Sequence, residues 1–194
     1  MAVSTDTTQV RRAALIEAAR GVFLRYGFKK TSMDDLARAA QISRQGLYLH
    51  FATKEELFRE VVALLVTSTR EASSQALARE DRSAEERLFG AFEVVFANEH
   101  ESEHITELLE AAAEQLGGTI EEHEKGFLQD LVRTIKATGV AATWDNAGIT
   151  PKALAEHLLA VSHGLKKRRA GRADYLSGMR TAVRIICRGG RKSS

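Results

Sequence analysis

The sequence contains few helix-breaking or cross-linking residues and no long apolar run. Among 194 residues there is one proline, Pro151, and one cysteine, Cys187. A single cysteine excludes an internal disulfide and is typical of a reducing compartment. The apolar run at 61–66 is far shorter than the roughly 20 residues that span a bilayer, so no membrane segment is predicted. The first ten residues do not resemble a secretion signal, and we expect a cytoplasmic protein.

Strand-like alternation of β-branched residues is also nearly absent. Ala, Leu, Glu and Arg are abundant, and apolar residues recur at helical spacing along almost the whole chain. The sequence therefore predicts an all-α fold.

The small net charge of +2 conceals an uneven distribution. Residues 1–60 hold ten Lys and Arg against seven Asp and Glu, residues 61–125 five against fifteen, and residues 126–194 thirteen against four. An acidic middle segment repels a nucleic-acid backbone, so any DNA contact should come from one of the two ends. Charge alone does not choose between them.

Two helices are predicted before residue 41. Apolar residues within 15–26 mark one face of an amphipathic helix that ends at Gly27. Thr31, with Asp34 three residues later, is the predicted N-cap of a short second helix that ends near Ala40.

The predicted third helix, residues 43–50, follows after a tight connection. Two short helices joined in this way and braced by an earlier helix form a helix-turn-helix, whose second helix enters the major groove of DNA. Leu47 and Phe51 would supply its buried side. Arg44 and Gln45 point outward at its start, and they can bridge guanine and adenine through paired hydrogen bonds.

Several short runs of residues in this region share one known pattern. They are Gly27-Phe28-Lys29-Lys30-Thr31-Ser32-Met33, Leu36-Ala37, Ala40, Ser43, Leu47-Tyr48-Leu49-His50-Phe51 and Lys54-Glu55-Glu56-Leu57. Together they resemble the TetR/AcrR family of transcriptional regulators over about residues 10–60. The resemblance implies contacts to phosphates from Thr31, Ser32, Tyr48, His50 and Lys54, and contacts to bases from Arg44, Gln45 and Gly46, with Ser43 as the cap of the DNA-reading helix.

Two positions bear on the backbone of this motif. Glycine inside a helix costs about 0.5–1 kcal/mol relative to alanine, so Gly46 suggests that the backbone approaches DNA closely. Gln41 stands where the family usually has glycine. We expect strain or a different geometry in the turn.

The remaining helices are longer. Thr53 and Glu56 form a predicted capping box for a helix over 54–78. That helix connects the two predicted domains, a helix-turn-helix DNA-binding domain at 1–53 and a helical effector-binding and dimerisation domain at 54–194.

Further along the chain, turns are predicted at Gly117-Gly118 and over residues 139–148. Thr150-Pro151 is a strong helix start, since proline fits the first helical position.

The second domain is implied by the resemblance rather than by a motif of its own. An apolar effector, neutral or cationic, would bind among Phe92, Phe96, Leu108, Phe127, Trp144 and His157. A homodimer would form through the last two helices, whose apolar stripes hold Leu158, Val161, Leu165, Tyr175, Met179, Val183 and Ile186. The alternative is that these side chains pack in the hydrophobic core of the protein and contact neither effector nor partner.

The resulting hypothesis is a non-enzymatic regulator, a repressor that a small molecule releases from a palindromic double-stranded operator, with no cofactor or metal. His100 and His104 invite a metal site, but Ser102 looks like a helix start that would separate them. A ferritin-like enzyme needs Glu-x-x-His on two helices, and only Glu101 with His104 fits. An architectural DNA-binding protein without effector is the remaining alternative.

Overall fold

The computed structural model describes residues 3–99, 105–168 and 171–189. Over these ranges the chain forms eight α-helices and one short 3₁₀ helix without a strand, which confirms the predicted all-α class. The helices are α1 (Val3–Tyr26), α2 (Met33–Ala39), α3 (Arg44–Tyr48), α4 (Lys54–Ala78), α5 (Ala84–Glu99), α6 (Ile105–Ala137), the 3₁₀ helix (Ala141–Ala147), α7 (Pro151–Lys167) and α8 (Arg172–Arg188). Within the described part of the chain, no helix combines the length and apolarity needed to cross a membrane.

The chain divides into two compact units. The first comprises Met1–Thr67 and Glu99–Ile120, and the second comprises Ser68–Asn98 and Glu121–Ser194. Helices α4 and α6 therefore contribute residues to both units. The functional division at residues 53 and 54 stays a prediction.

The core of the first unit is built from the inward faces of α1 to α4 and the start of α6. Phe23, Phe51 and Phe58 are almost completely buried, and the rings of Phe23 and Phe58 meet edge to face at 5.3 Å. Fully burying such a side chain stabilises the fold by about 1.5–3 kcal/mol. This core fixes α2 and α3 against α1.

The N-cap of α2 is Ser32 and not Thr31, which corrects the prediction by one residue. The Ser32 hydroxyl accepts from the Asp35 N–H, and the Asp35 carboxylate accepts from the Ser32 N–H at 3.0 Å and from its hydroxyl. The hydrogen bond from the Ser32 side chain is the largest cause that lowers the pKa of Asp35. The sequence offered two hydroxyls in succession, and only Ser32 has an acid three residues later that accepts its N–H.

The predicted capping box of α4 is formed only in part. The Thr53 hydroxyl accepts from the Glu56 N–H at 3.0 Å, but the Glu56 carboxylate accepts from the Ala52 N–H at 2.8 Å. The side chain thus reaches one residue further back than the motif predicts.

The second unit is packed around aromatic pairs. Phe92 and Phe127 meet edge to face at 5.4 Å, and Phe96 stacks on Tyr175 at 4.1 Å. At the start of α7 the Thr150 hydroxyl accepts from the Ala153 N–H, which confirms the predicted Thr-Pro helix start.

A turn at Gly117-Gly118 was predicted wrongly, because both glycines lie inside the continuous helix α6. The helix buries Leu108 and Ala112 in the first unit and Leu131 and Ile135 in the second. Two helical glycines cost about 1 kcal/mol each. The apolar contacts on both sides outweigh that cost.

Most of the predicted dimer-interface side chains belong to the core of their own chain. Leu158, Tyr175, Met179, Val183 and Ile186 are almost inaccessible to solvent, while Val161 and Leu165 are half-buried. A β-carbon at Gly178 would lie 2.8 Å from the Leu165 Cδ1 atom, so this leucine also packs on α8 of the same chain. The apolar stripes that suggested an interface pack within the chain itself. Sequence periodicity does not distinguish packing within one chain from packing between two chains.

Candidate nucleic-acid interface

The turn between α2 and α3 is closed by backbone hydrogen bonds at the end of α2. The Gln41 N–H donates to the Arg38 carbonyl and the Ile42 N–H donates to the Ala37 carbonyl, the pattern of a Schellman motif. Gln41 has a φ of 56°, a left-handed conformation that suits glycine. The strain expected at this position is therefore present, and the turn geometry is the ordinary one.

Helix α3 presents a polar face to solvent. Its side chains at Ser43, Arg44 and Gln45 are exposed, and Tyr48 is 42% exposed. Leu47 and Phe51 are buried in the core of the first unit, as the sequence predicts. The helix is thus anchored from behind and leaves its hydrogen-bonding side chains free of the core.

The Arg44 guanidinium is held at this surface from two sides. Its Nη1 atom lies 3.3 Å from the Asp34 carboxylate of α2, and its Nη2 atom donates to the Tyr48 hydroxyl at 3.3 Å. The Tyr48 hydrogen bond and the Asp34 charge both raise the pKa of Arg44. Two predicted DNA-contacting residues, Arg44 and Tyr48, therefore contact each other. Arg44 also contacts Asp34, which sequence reasoning had given no place at this surface.

Gly46 has a local reason to be glycine. Its N–H donates to the Ser43 hydroxyl at 3.0 Å, and a β-carbon at this position would lie 3.2 Å from that same oxygen. The absence of a side chain leaves room for the cap of α3. The predicted close approach to DNA remains a prediction.

Thr31 and Lys54 are engaged with the connection between α1 and α2. Thr31 is buried, and its hydroxyl donates to the Gly27 carbonyl at 2.6 Å. The Lys54 ammonium donates to the Phe28 carbonyl at 3.0 Å and lies 4.3 Å from the Phe28 ring centre. Sequence reasoning gave both residues a phosphate contact, whereas the structure gives both a contact within the protein.

Arg12, on α1, contacts the residues that follow α3 as well as α4. Its guanidinium donates to the His50 carbonyl and to the Glu60 carboxylate, each at 2.9 Å, and it stacks over the Phe51 ring. The sequence pattern showed no sign of this contact, because its members are 38 and 48 residues apart in the chain. The contact holds the backbone at His50, a predicted phosphate-binding residue.

Leu49 is another feature that the sequence analysis did not single out. It is 82% exposed and lies between Tyr48 and His50. An exposed apolar side chain can contact the methyl group of thymine but offers no hydrogen bond to a phosphate. Only the burial pattern distinguishes it from the core leucine two residues earlier.

The residues predicted for an effector pocket do not all lie together. Phe92, Phe96 and Phe127 belong to the core of the second unit, and Trp144 packs against it while its indole N–H donates to the Ile186 carbonyl. Leu108 belongs to the core of the first unit, and His157 is exposed. A groove of about 440 Å³ between α1 and α2, lined in part by Tyr26, Lys30 and Arg38, includes none of the predicted pocket residues.

Among the residues that the structure describes, no cluster of His, Cys, Asp or Glu could hold a metal ion. The alternative metal site at His100 and His104, and with it the Glu101-x-x-His104 motif, lies outside the described residues.

Comparison with known proteins agrees with this geometry. Residues 15–61 match the model of the family described as bacterial regulatory proteins, tetR family. An Escherichia coli protein named as an acrEF/envCD operon repressor is 42% identical over 50 residues, covering 26% of this chain and 23% of that protein. The transcriptional activator FasR of Mycolicibacterium smegmatis is 36% identical over 94 residues, covering 48% of this chain and 42% of that protein.

The whole fold also has solved counterparts. A Mesorhizobium loti protein assigned to the TetR family of transcriptional regulators superposes with a TM-score of 0.72 at 22% identity, covering 92% of this chain and 95% of that one. By sequence, the chain spans less than half the length of the curated relatives it matches. Residues 15–61 therefore match the tetR family of bacterial regulatory proteins, and the chain shares its fold with a solved TetR-family structure.

Proposed function

We propose that this protein is a DNA-binding transcriptional regulator, a repressor that leaves a palindromic operator when a small molecule binds. The observation that carries the proposal is the exposed polar face of α3, which the buried Leu47 and Phe51 hold on the surface of the first unit. An exposed arginine and glutamine at the start of the second helix of such a motif suit the edges of guanine and adenine. The site is one of recognition and not of catalysis.

The residues of the site have distinct proposed roles. Arg44 and Gln45 read bases, while Ser32, Ser43, Tyr48 and His50 hold phosphates beside them. For Thr31 and Lys54, the contacts to the Gly27 and Phe28 carbonyls support a positioning role. The two residues would fix the backbone from which α2 begins.

A homodimer fits the proposal, because two copies present two recognition helices to one operator. Most of the side chains first predicted for the interface are buried in the core of their own chain. The interface is therefore proposed on the opposite, exposed faces of α7 and α8. Ala160, Gly164 and Thr181 are exposed there, and Ile185 is 57% exposed. Small side chains on this face permit close approach of a second copy.

The proposed effector is an apolar molecule, neutral or cationic, that binds in the second unit near Phe92, Phe96 and Phe127. Helix α4 is the proposed coupling element, because it starts beside the DNA-reading segment and contributes residues to both units. An effector shifts the equilibrium between two arrangements only by its differential affinity for them, typically about 1–3 kcal/mol. The protein would act in the cytoplasm.

Selection from a randomised duplex library tests the DNA-binding part. The full chain should enrich an inverted repeat whose half-sites lie about 34–36 Å apart or a multiple of that distance. Recovery of unenriched sequence after repeated rounds would refute specific recognition. Enrichment of a single half-site would refute the dimeric arrangement.

The effector part has a separate test. A compound identified by thermal shift should bind the protein more weakly when the selected duplex is present, by the factor by which it weakens DNA binding. Equal calorimetric affinity with and without that duplex would refute release by this route. The architectural alternative would then be favoured.

A further inference from the structure

The contact between Asp34 and Arg44 joins the two helices of the DNA-binding motif at their solvent surface. Asp34 lies in the first turn of α2 and Arg44 is the first residue of α3. Their side chains are 53% and 58% exposed, so both remain accessible to a bound duplex. The Tyr48 hydroxyl holds the other terminal nitrogen of the guanidinium. An exposed arginine side chain usually samples many rotamers, whereas Arg44 is restricted by its contacts with Asp34 and Tyr48.

A carboxylate at this place has a cost for DNA binding. It cannot bind a phosphate, and it repels the phosphate backbone of any duplex that approaches α3. Through Arg44, however, the same carboxylate raises the affinity for duplexes that present a guanine to this arginine. Arginine has five N–H donors, so contacts to Asp34 and Tyr48 leave donors for guanine O6 and N7, and a confined side chain loses less freedom on binding.

We propose that Asp34 is a specificity-determining residue, which positions Arg44 for base reading and at the same time weakens binding to DNA that lacks the matching base. The inference rests on the proposed function and deepens it. Asp34 is a positioning residue, since it acts on bases through Arg44. Its charge lowers affinity for all duplexes, and its contact with Arg44 restores affinity only for the cognate one.

The test compares Asp34→Asn with wild type on two duplexes of equal length, the one selected by the wild-type protein and a scrambled one. The ratio of the two affinities does not depend on the folded fraction, because both duplexes sample the same active protein. We expect affinity for the scrambled duplex to rise and the ratio to fall about two- to fivefold, the range of exposed ion pairs. The matched control is Glu55→Gln, which removes the same charge at an exposed position in the first turn of α4. It should leave the ratio unchanged.

A combined variant separates positioning from simple repulsion. In the Arg44→Ala background, Asp34→Asn should no longer change the ratio, because no base-reading side chain is left to position. An unchanged ratio in Asp34→Asn alone, an equal fall in Glu55→Gln, or a persistent effect without Arg44 would each overturn the inference. If wild type itself shows no preference for the selected duplex, the proposed function fails, and this inference fails with it.

Discussion

At the scale of single residues, Gln41 shows how a family pattern and a structure combine. The sequence indicated a departure from glycine at the turn, and the structure shows a φ of 56° there. The left-handed conformation costs a residue with a β-carbon roughly 1–2 kcal/mol. The Schellman hydrogen bonds of Gln41 and Ile42 maintain the conformation in spite of this cost.

Replacing Gln41 with glycine should therefore stabilise the protein. We expect Gln41→Gly to raise the free energy of unfolding by about 0.5–1 kcal/mol, because relief of strain exceeds the added flexibility of the unfolded chain. Gln41→Ala is the control, since it keeps the β-carbon and should gain nothing. Urea denaturation measures both. A gain in the alanine variant as large as in the glycine variant would contradict the explanation.

Thr31 illustrates what residue type alone does not reveal. A threonine at the start of a helix-turn-helix suits a phosphate, but here the side chain is buried and bonded to the Gly27 carbonyl. Thr31→Val keeps the volume and removes this hydrogen bond. It should lower the free energy of unfolding by about 1–2 kcal/mol, with no change in DNA affinity per folded molecule. Unchanged stability together with weaker DNA binding would instead support the predicted phosphate contact of Thr31.

At the scale of elements, the sequence predicted most helices because caps and apolar spacing are local signals. Thr150-Pro151 and the apolar face of α1 are examples. The turn predicted at Gly117-Gly118 was wrong. The contacts that stabilise α6 on either side of these glycines involve residues distant in the sequence, so no local signal indicates them. The sequence also did not show that Tyr175 and Met179 pack in the core of their own chain, because their periodicity is the same whichever partner buries them.

The glycines of α6 provide a test of that account. Gly118 is exposed and a β-carbon there would meet open space, so Gly118→Ala should stabilise the protein by about 0.5–1 kcal/mol. Gly126→Ala is the matched comparison, because its methyl group would overlap the Arg70 guanidinium and displace it from Asp130. Thermal unfolding should show a smaller gain or a loss for the second variant. Equal gains would contradict the observed packing of Arg70 over Gly126.

At the scale of the whole molecule, the exposed face of α3 was predictable from the sequence and the proposed assembly was not. The pattern of buried neighbours placed Arg44 and Gln45 on the surface, and the family resemblance implied a DNA contact for Tyr48. The contact of Asp34 with Arg44 and the contact of Arg12 with the His50 carbonyl join residues that are distant in the sequence, so they depend on tertiary structure. The proposed interface requires a second copy, and the exposed side chains on α7 and α8 are the feature of one copy that supports it.

The proposed dimer is tested by changing that exposed face. Ile185→Glu and Gly164→Glu should each raise the dimer dissociation constant at least about tenfold, because an unpaired carboxylate would be buried between the copies. Gln75→Glu, at an exposed position of α4, is the control with the same added charge. Sedimentation at micromolar concentration gives the masses. A monomeric wild type, or a dimer that both variants leave intact, would refute the proposed interface.

Arg44→Ala distinguishes base reading by the exposed face of α3 from a general attraction of the protein to DNA. Fluorescence anisotropy would measure its affinity for the selected duplex and for a scrambled one, beside Arg133→Ala, which removes the same charge from an exposed position of the second unit. If Arg44 reads a base, Arg44→Ala loses about 1–3 kcal/mol of binding free energy on the selected duplex and much less on the scrambled one, while Arg133→Ala changes neither. Equal losses of Arg44→Ala on both duplexes would contradict base reading by Arg44.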